Sequence, residues 1–126
     1  MMAVRNPLYL APDRSFINAG VCARRSGDAA AAAEYFLMAL KVRPTQPQAL
    51  YQMADLSYAR GDYDEAKDYL NRLMQSAPPT AEGLWLGVRV ERRLGDRNSE
   101  ASYALQLRNR FPDSQEARAL LAGQYE

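Results

Sequence analysis

Glycine, aspartate, proline and tyrosine each return at one fixed spacing in this chain of 126 residues. Gly27, Gly61 and Gly95 are 34 residues apart, and so are Asp28, Asp62 and Asp96. Pro44, Pro78 and Pro112 keep the same period, as do Tyr35, Tyr69 and Tyr103. A chain with such a period stacks like units, each burying its apolar face on the next. The spacing also says what each unit contains. Phe36-Leu37 with Leu40, and Leu70 with Leu73-Met74, follow the i, i+3, i+4 pattern of one helical face. Gly-Asp between two such segments reverses the chain, because glycine takes left-handed angles at no steric cost and Asp caps the next helix. Proline cannot continue a helix and disfavours helical angles in the residue before it, so each unit ends beside one.

The pattern predicts an all-α chain with six repeat helices, at about 14–26, 28–42, 46–60, 63–76, 80–94 and 97–110. The units run over residues 13–46, 47–80 and 81–112. Residues 113–126 read as a C-terminal capping helix, opened by a capping box in which Asp113 caps and Glu116 answers three positions on. Ala117, Leu120, Leu121 and Tyr125 form its apolar side. Residues 1–12, with Leu8, Tyr9 and Leu10 between Pro7 and Pro12, read as an extended lead-in from an earlier repeat of a longer array. Loss of that repeat would expose an apolar face including Ile17, Val21 and Tyr35, through which the chain is expected to self-associate.

Composition removes most chemistry. There is no histidine and one cysteine, so His-based nucleophilic catalysis, a thiolate metal cage and an intrachain disulfide are excluded. Sixteen basic residues against fifteen acidic ones leave a formal charge of +1, which argues against nucleic acid as a partner. No cofactor is expected. Cys22 follows Ala19-Gly20-Val21 but lacks the small preceding residue and apolar leader of a lipidation site. It shares its repeat position with Leu56 and Val90, which predicts a core thiol.

The period of 34 residues resembles that of the tetratricopeptide repeat. In that frame the small residue at the helix crossing is Gly20, then Ala54, then Gly87 shifted by one position. The alanine of the second helix is Ala32, then Ala66, with Glu100-Ala101 departing slightly. The large apolar residue four positions later is Phe36, then Leu70, then only Ala104. The fold implied is a solenoid of three helix pairs plus a capping helix. Three runs depart from the generic repeat: Ala54-Asp55-Leu56-Ser57-Tyr58 with Ala66-Lys67-Asp68-Tyr69-Leu70, Leu84-Trp85-Leu86-Gly87-Val88-Arg89, and Asp96 to Leu107 followed by Arg110-Phe111-Pro112-Asp113-Ser114. In this order they resemble the C-terminal half of the type IV pilus pilotin family. That resemblance implies a non-enzymatic protein that binds the secretin subunit of the type IV pilus and promotes its localisation and assembly. It also implies an outer-membrane lipoprotein on the periplasmic face, held to the membrane only through a lipid anchor outside these residues.

First helices of such repeats line a concave groove. Projection places Arg14, Ile17, Val21, Arg24 and Arg25 there in the first unit, Tyr51, Asp55 and Tyr58 in the second, and Trp85, Arg89, Arg92 and Arg93 in the third. Aromatic residues with arginines match the composition of interface hot spots. A plainer reading has the rings filling space and the arginines pairing with Asp55, Glu82 and Glu91. Tyr35, Tyr69 and Tyr103 fall on second helices, where stacking between units is expected to bury their rings. Two other functions fit the fold: a generic adaptor or chaperone-type module that clamps a peptide carboxylate, and substrate recruitment for an enzyme. The clamp needs lysine and asparagine where Ile17, Val21, Tyr51, Asp55 and Trp85 stand. The carboxylate pairs Asp62/Asp64 and Glu65/Asp68 lie at turns or on exposed faces, unsuited to acid–base work.

Overall fold

The computed structural model describes residues 12–126, so the expected lead-in lies outside the described residues apart from Pro12, which opens a helix. Seven helices follow: α1 Pro12–Arg25, α2 Ala29–Val42, α3 Pro47–Ala59, α4 Tyr63–Ser76, α5 Ala81–Leu94, α6 Arg97–Arg110 and α7 Gln115–Ala122. Helices α1 and α2, α3 and α4, and α5 and α6 fold onto each other as pairs. The pairs stack through α2 against α3 and α4 against α5, and α7 covers the far end against α5 and α6.

One device closes every pair. Gly27, Gly61 and Gly95 take φ of 85°, 83° and 80° with open space where a Cβ would stand, so the backbone angle alone demands glycine. The next residue's N–H donates back to the carbonyl of Ala23, Ser57 or Glu91 at 2.9, 2.9 and 3.0 Å. Its carboxylate then caps the following helix, accepting from the N–H of Ala31, Glu65 or Ser99 at 3.0, 3.3 and 3.1 Å. Each second helix stops at a non-helical residue directly ahead of the periodic proline: Arg43 and Ala77 are extended, and Phe111 also leaves the helical region.

The pairs are held close by a small residue facing a large one. A Cβ on Gly20 would stand 2.5 Å from the Phe36 ring, and one on Gly87 would stand 2.9 Å from the Tyr103 ring. In the middle pair the buried residues at the corresponding positions are Ala54 and Leu70. The third pair therefore does not rely on Ala104. Its crossing has moved back one residue on both helices, from 88 to 87 and from 104 to 103, and Tyr103 supplies the ring. A main core runs from Ile17 to Val90, and Leu84, Leu107 and Ala117 form a smaller one beneath α7. Between α4 and α5 the buried Glu91 is neutralised by Lys67 at 3.2 Å.

Several expectations change. Tyr35, Tyr69 and Tyr103 share a period but not an environment: Tyr35 is exposed, Tyr69 is half-buried beneath Arg72, and Tyr103 covers Gly87. Cys22 is exposed, whereas Leu56 and Val90 are buried. A preceding pair packs against α3 and against α5, but none precedes α1 among the described residues. Ile17, expected on an open apolar face, is buried in the core, and the large exposed apolar residues of the first pair are Tyr35, Leu37, Met38 and Val42 on α2. Ser114, not Asp113, caps α7, accepting from the Ala117 N–H at 3.0 Å, and no capping box forms. That helix ends at Ala122 rather than running on to residue 126.

Gly20→Ala should destabilise the chain by ~1–3 kcal/mol through overpacking against Phe36. Adding Phe36→Leu should recover part of the loss, because it recreates the Ala54–Leu70 pairing. Denaturant midpoints of the two variants and the parent check both statements.

Candidate functional site

Positions separated by the repeat length share a face, so the first helices contribute three lanes: Ile17, Tyr51 and Trp85; Val21, Asp55 and Arg89; Arg24, Tyr58 and Arg92. The structure divides these lanes into two ends joined by a polar bridge. At the bridge, Arg24 of α1 donates to Asp55 at 2.5 Å and to Gln52 at 2.6 Å, both on α3. This pair is half-exposed, which limits its net contribution to about 1 kcal/mol or less.

Toward α1 lies an open cleft of about 650 Å³. Ile17 and Val21 form one wall, Tyr51 and Gln52 another, and Met74, Pro79 and Glu82 the third. Burial, reinforced by the carboxylates of Asp55 and Glu82, pushes the Tyr51 phenol up to about 12. It remains a neutral hydroxyl across the physiological range. Gln46 locks this end in place: it caps α3 and donates to Asp13 of α1 at 3.0 Å.

Toward α7 the lanes become basic and aromatic. The Arg89 guanidinium lies 5.2 Å from the Tyr58 ring centre and 5.5 Å from that of Trp85, a cation–π sandwich. Its Nε is buried without a hydrogen-bond partner among the described residues. Arg92 stands 3.9 Å from the ring centre of Tyr125, whose ring stacks on Trp85 with centroids 5.7 Å apart and planes inclined by 23°. Arg93 lies over Tyr63 at 5.7 Å and donates to the Glu126 carboxylate at 2.7 Å. Tyr58 donates its hydroxyl to the same carboxylate. Both donors hold the Glu126 carboxyl below its ordinary range.

Of the residues projected onto the groove, Ile17, Val21 and Tyr51 meet in the open cleft, and Tyr58, Trp85, Arg89 and Arg92 meet at the basic end. Arg24 and Asp55 bridge the two ends. Arg14 and Arg25 are exposed and line neither. The plainer pairing scheme holds for Asp55 alone, since Glu91 faces Lys67 on the opposite side of α5. Sequence reasoning missed Glu126 and put Tyr125 on a helix. The one signal available was Gly123, a stop signal three residues before Glu126. Among the described residues no group of three His, Cys, Asp or Glu side chains could hold a metal, and no helix is long and apolar enough to cross a membrane. The first helices thus present stacking surfaces and forked donors at one end and an apolar cleft at the other.

Repeat spacing, paired helices and a groove define the class, and the comparisons agree. The family model for the tetratricopeptide repeat matches residues 23–84, and the chain is an all-α tetratricopeptide-repeat solenoid. It is homologous to the type IV pilus biogenesis proteins PilF and PilW. The type IV pilus assembly protein PilF of Pseudomonas aeruginosa is 35% identical over 114 residues, covering 90% of this chain and 45% of that protein. A solved structure of P. aeruginosa PilF superposes with a TM-score of 0.83 at 34% identity, covering 97% of this chain and 55% of the other. The crystal structure of PilW, described as a widely conserved type IV pilus biogenesis factor, gives 0.79 at 27% identity, covering 94% and 55%. This chain thus spans about half the length of these relatives.

The lowered Glu126 pKa gives its docking a sign. Docking is stabilised by ionisation above the ordinary glutamate range and loses that stabilisation as pH falls through the depressed value. The groups facing this carboxylate are Tyr58 on α3 with Arg89 and Arg93 on α5. Trp85 is the only tryptophan in the chain, so its emission reports on Tyr125. That emission should hold steady from neutral pH down to about 4.3 and change only below it. Glu126→Gln should abolish this step while far-ultraviolet circular dichroism stays unchanged.

Proposed function

We propose that this chain is a non-catalytic protein-binding scaffold acting in type IV pilus biogenesis, as a pilotin whose partner is the secretin subunit. The observation that carries the reading is the groove: an apolar cleft toward one end of the first helices and Tyr58, Trp85 and Arg89 toward the other, in a chain homologous to PilF. Solenoid curvature gathers residues from successive first helices onto one surface, so a partner strand touches all three pairs at once. Aromatic rings that are held by packing beside an arginine, as Tyr58 and Trp85 are beside Arg89, offer contact area at small entropic cost. On this reading the protein works at the periplasmic face of the outer membrane, tethered by a lipid anchor outside these residues.

Binding of the secretin subunit to this chain, measured by calorimetry, tests the proposal. Tyr51→Ala and Trp85→Ala sample the two ends of the groove. At a central hot spot such truncations cost ~2 kcal/mol or more, so each should weaken binding by well over tenfold with helicity unchanged. Unchanged affinity in both folded variants would place the secretin site outside this groove.

A further inference from the structure

The basic end of the groove is already occupied, and by a peptide of defined chemistry. Gly123 closes α7 at φ 71° and turns the chain back toward α5, with the Gln124 N–H donating to the Ala119 carbonyl at 2.9 Å. Two side chains then make all the recorded tail contacts in the groove. Tyr125 lies between the Trp85 indole and the Arg92 guanidinium, while Glu126 accepts from Tyr58 and Arg93. These residues follow the last helix and belong to no repeat, so side-chain chemistry holds them rather than the solenoid's own packing. The Glu126 side chain keeps 59% of its surface in solvent, as a docked segment would and a core residue would not.

We infer that the basic end of the groove is a binding site for a partner segment carrying an aromatic residue followed directly by a carboxylate, which Tyr125–Glu126 fills in cis until that segment displaces it. This deepens the groove reading above and rests on it. The charge pattern selects the occupant. Arg89, Arg92 and Arg93 lie at i, i+3 and i+4 of one helix, and among the described residues the acidic side chains paired with them are Glu126 with Arg93 and Glu100 of α6 with Arg92 at 3.5 Å. An acidic segment is drawn in and a basic one repelled. The aromatic slot is equally particular, because a ring between an indole and a guanidinium gains stacking and cation–π attraction together. Arg89 Nε, buried without a partner among the described residues, is a further donor that Tyr125 and Glu126 leave unused.

Tethering explains why such a site can be filled yet remain exchangeable. Held by the turn at Gly123, Tyr125 and Glu126 are presented at an effective concentration on the order of millimolar, without a large interface. If it is docked nine-tenths of the time, a competing segment sees its affinity reduced about tenfold.

The test uses a fluorescein-labelled peptide of the chain's own sequence, Ala-Gly-Gln-Tyr-Glu with an amidated end, followed by anisotropy. The intact chain is compared with a variant lacking residues 124–126. The truncated chain should bind the peptide at least tenfold more tightly than the intact one. Gln in place of Glu in the peptide, or Arg93→Gln in the truncated chain, should each cost at least tenfold again. Equal binding by the intact and truncated chains, indifference to the Gln peptide, or no saturable binding by the truncated chain up to about 1 mM would each overturn the inference. If truncation lowers helicity, the full-length Tyr125→Ser, Glu126→Gln double variant makes the same comparison. No secretin enters this titration. Its failure leaves the secretin assignment standing, and a secretin that does not bind leaves the peptide result standing.

Discussion

Everything inward of the repeat depends on how closely two helices cross. Gly20 beneath Phe36, Ala54 paired with Leu70, and Gly87 beneath Tyr103 solve one packing problem with three volume splits. The larger the ring on the second helix, the smaller the residue on the first. Interiors are packed too densely for either side to change alone. Because the three crossings recur at nearly the same repeat position, the first helices bring like positions onto one side. Their outward positions then fall into lanes one repeat apart. The groove is a consequence of the crossings and has no separate scaffold.

The lanes are geometrically alike and chemically graded. The lane of Ile17, Tyr51 and Trp85 grows in ring size along the solenoid, and the lane of Val21, Asp55 and Arg89 passes from neutral through acidic to basic. The open cleft consequently has apolar walls with Glu82 at its edge, while the far end is cationic and aromatic. The groove therefore offers different chemistry at each step along its length, the kind of pattern that gives an interface direction and register. The Arg24–Asp55 pair between the two ends adds little stability. Its effect is to keep Asp55 from confronting a carboxylate that approaches Arg89.

The repeat, its pairing and most of its helix boundaries were legible because each is set by local chemistry. Gly-Asp at the reversals and proline after each second helix act on neighbouring residues only. The readings that failed needed a partner distant in sequence. Tyr103 in place of Ala104 requires knowing that Gly87 had shifted with it. Cys22 matched two buried positions, yet burial depends on a neighbouring pair and not on helix phase. Five of the twelve residues projected onto the groove, Tyr58, Trp85, Arg89, Arg92 and Arg93, converge at the basic end, since helical phase and repeat length suffice to place them. Arg14 was projected by the same rule but lies one turn too early on α1, outside the cleft.

The tail was the hardest feature to read, and the reason is energetic. Ala117, Leu120, Leu121 and Tyr125 fit a continuing helix, and only Gly123 opposes it, at about 1 kcal/mol relative to alanine. That preference alone could be overridden by packing. In the structure Leu121 is 72% exposed, so extending α7 would gain little burial on that side. Leaving the helix costs a few solvated backbone hydrogen bonds, which water largely replaces. In return Tyr125 gains an indole and a guanidinium, and Glu126 gains two donors. None of these four partners is local in sequence: Tyr58 is 68 residues from Glu126, and Arg93 is 33 away. The stop at Gly123 is therefore permitted locally, while its direction is set by the groove.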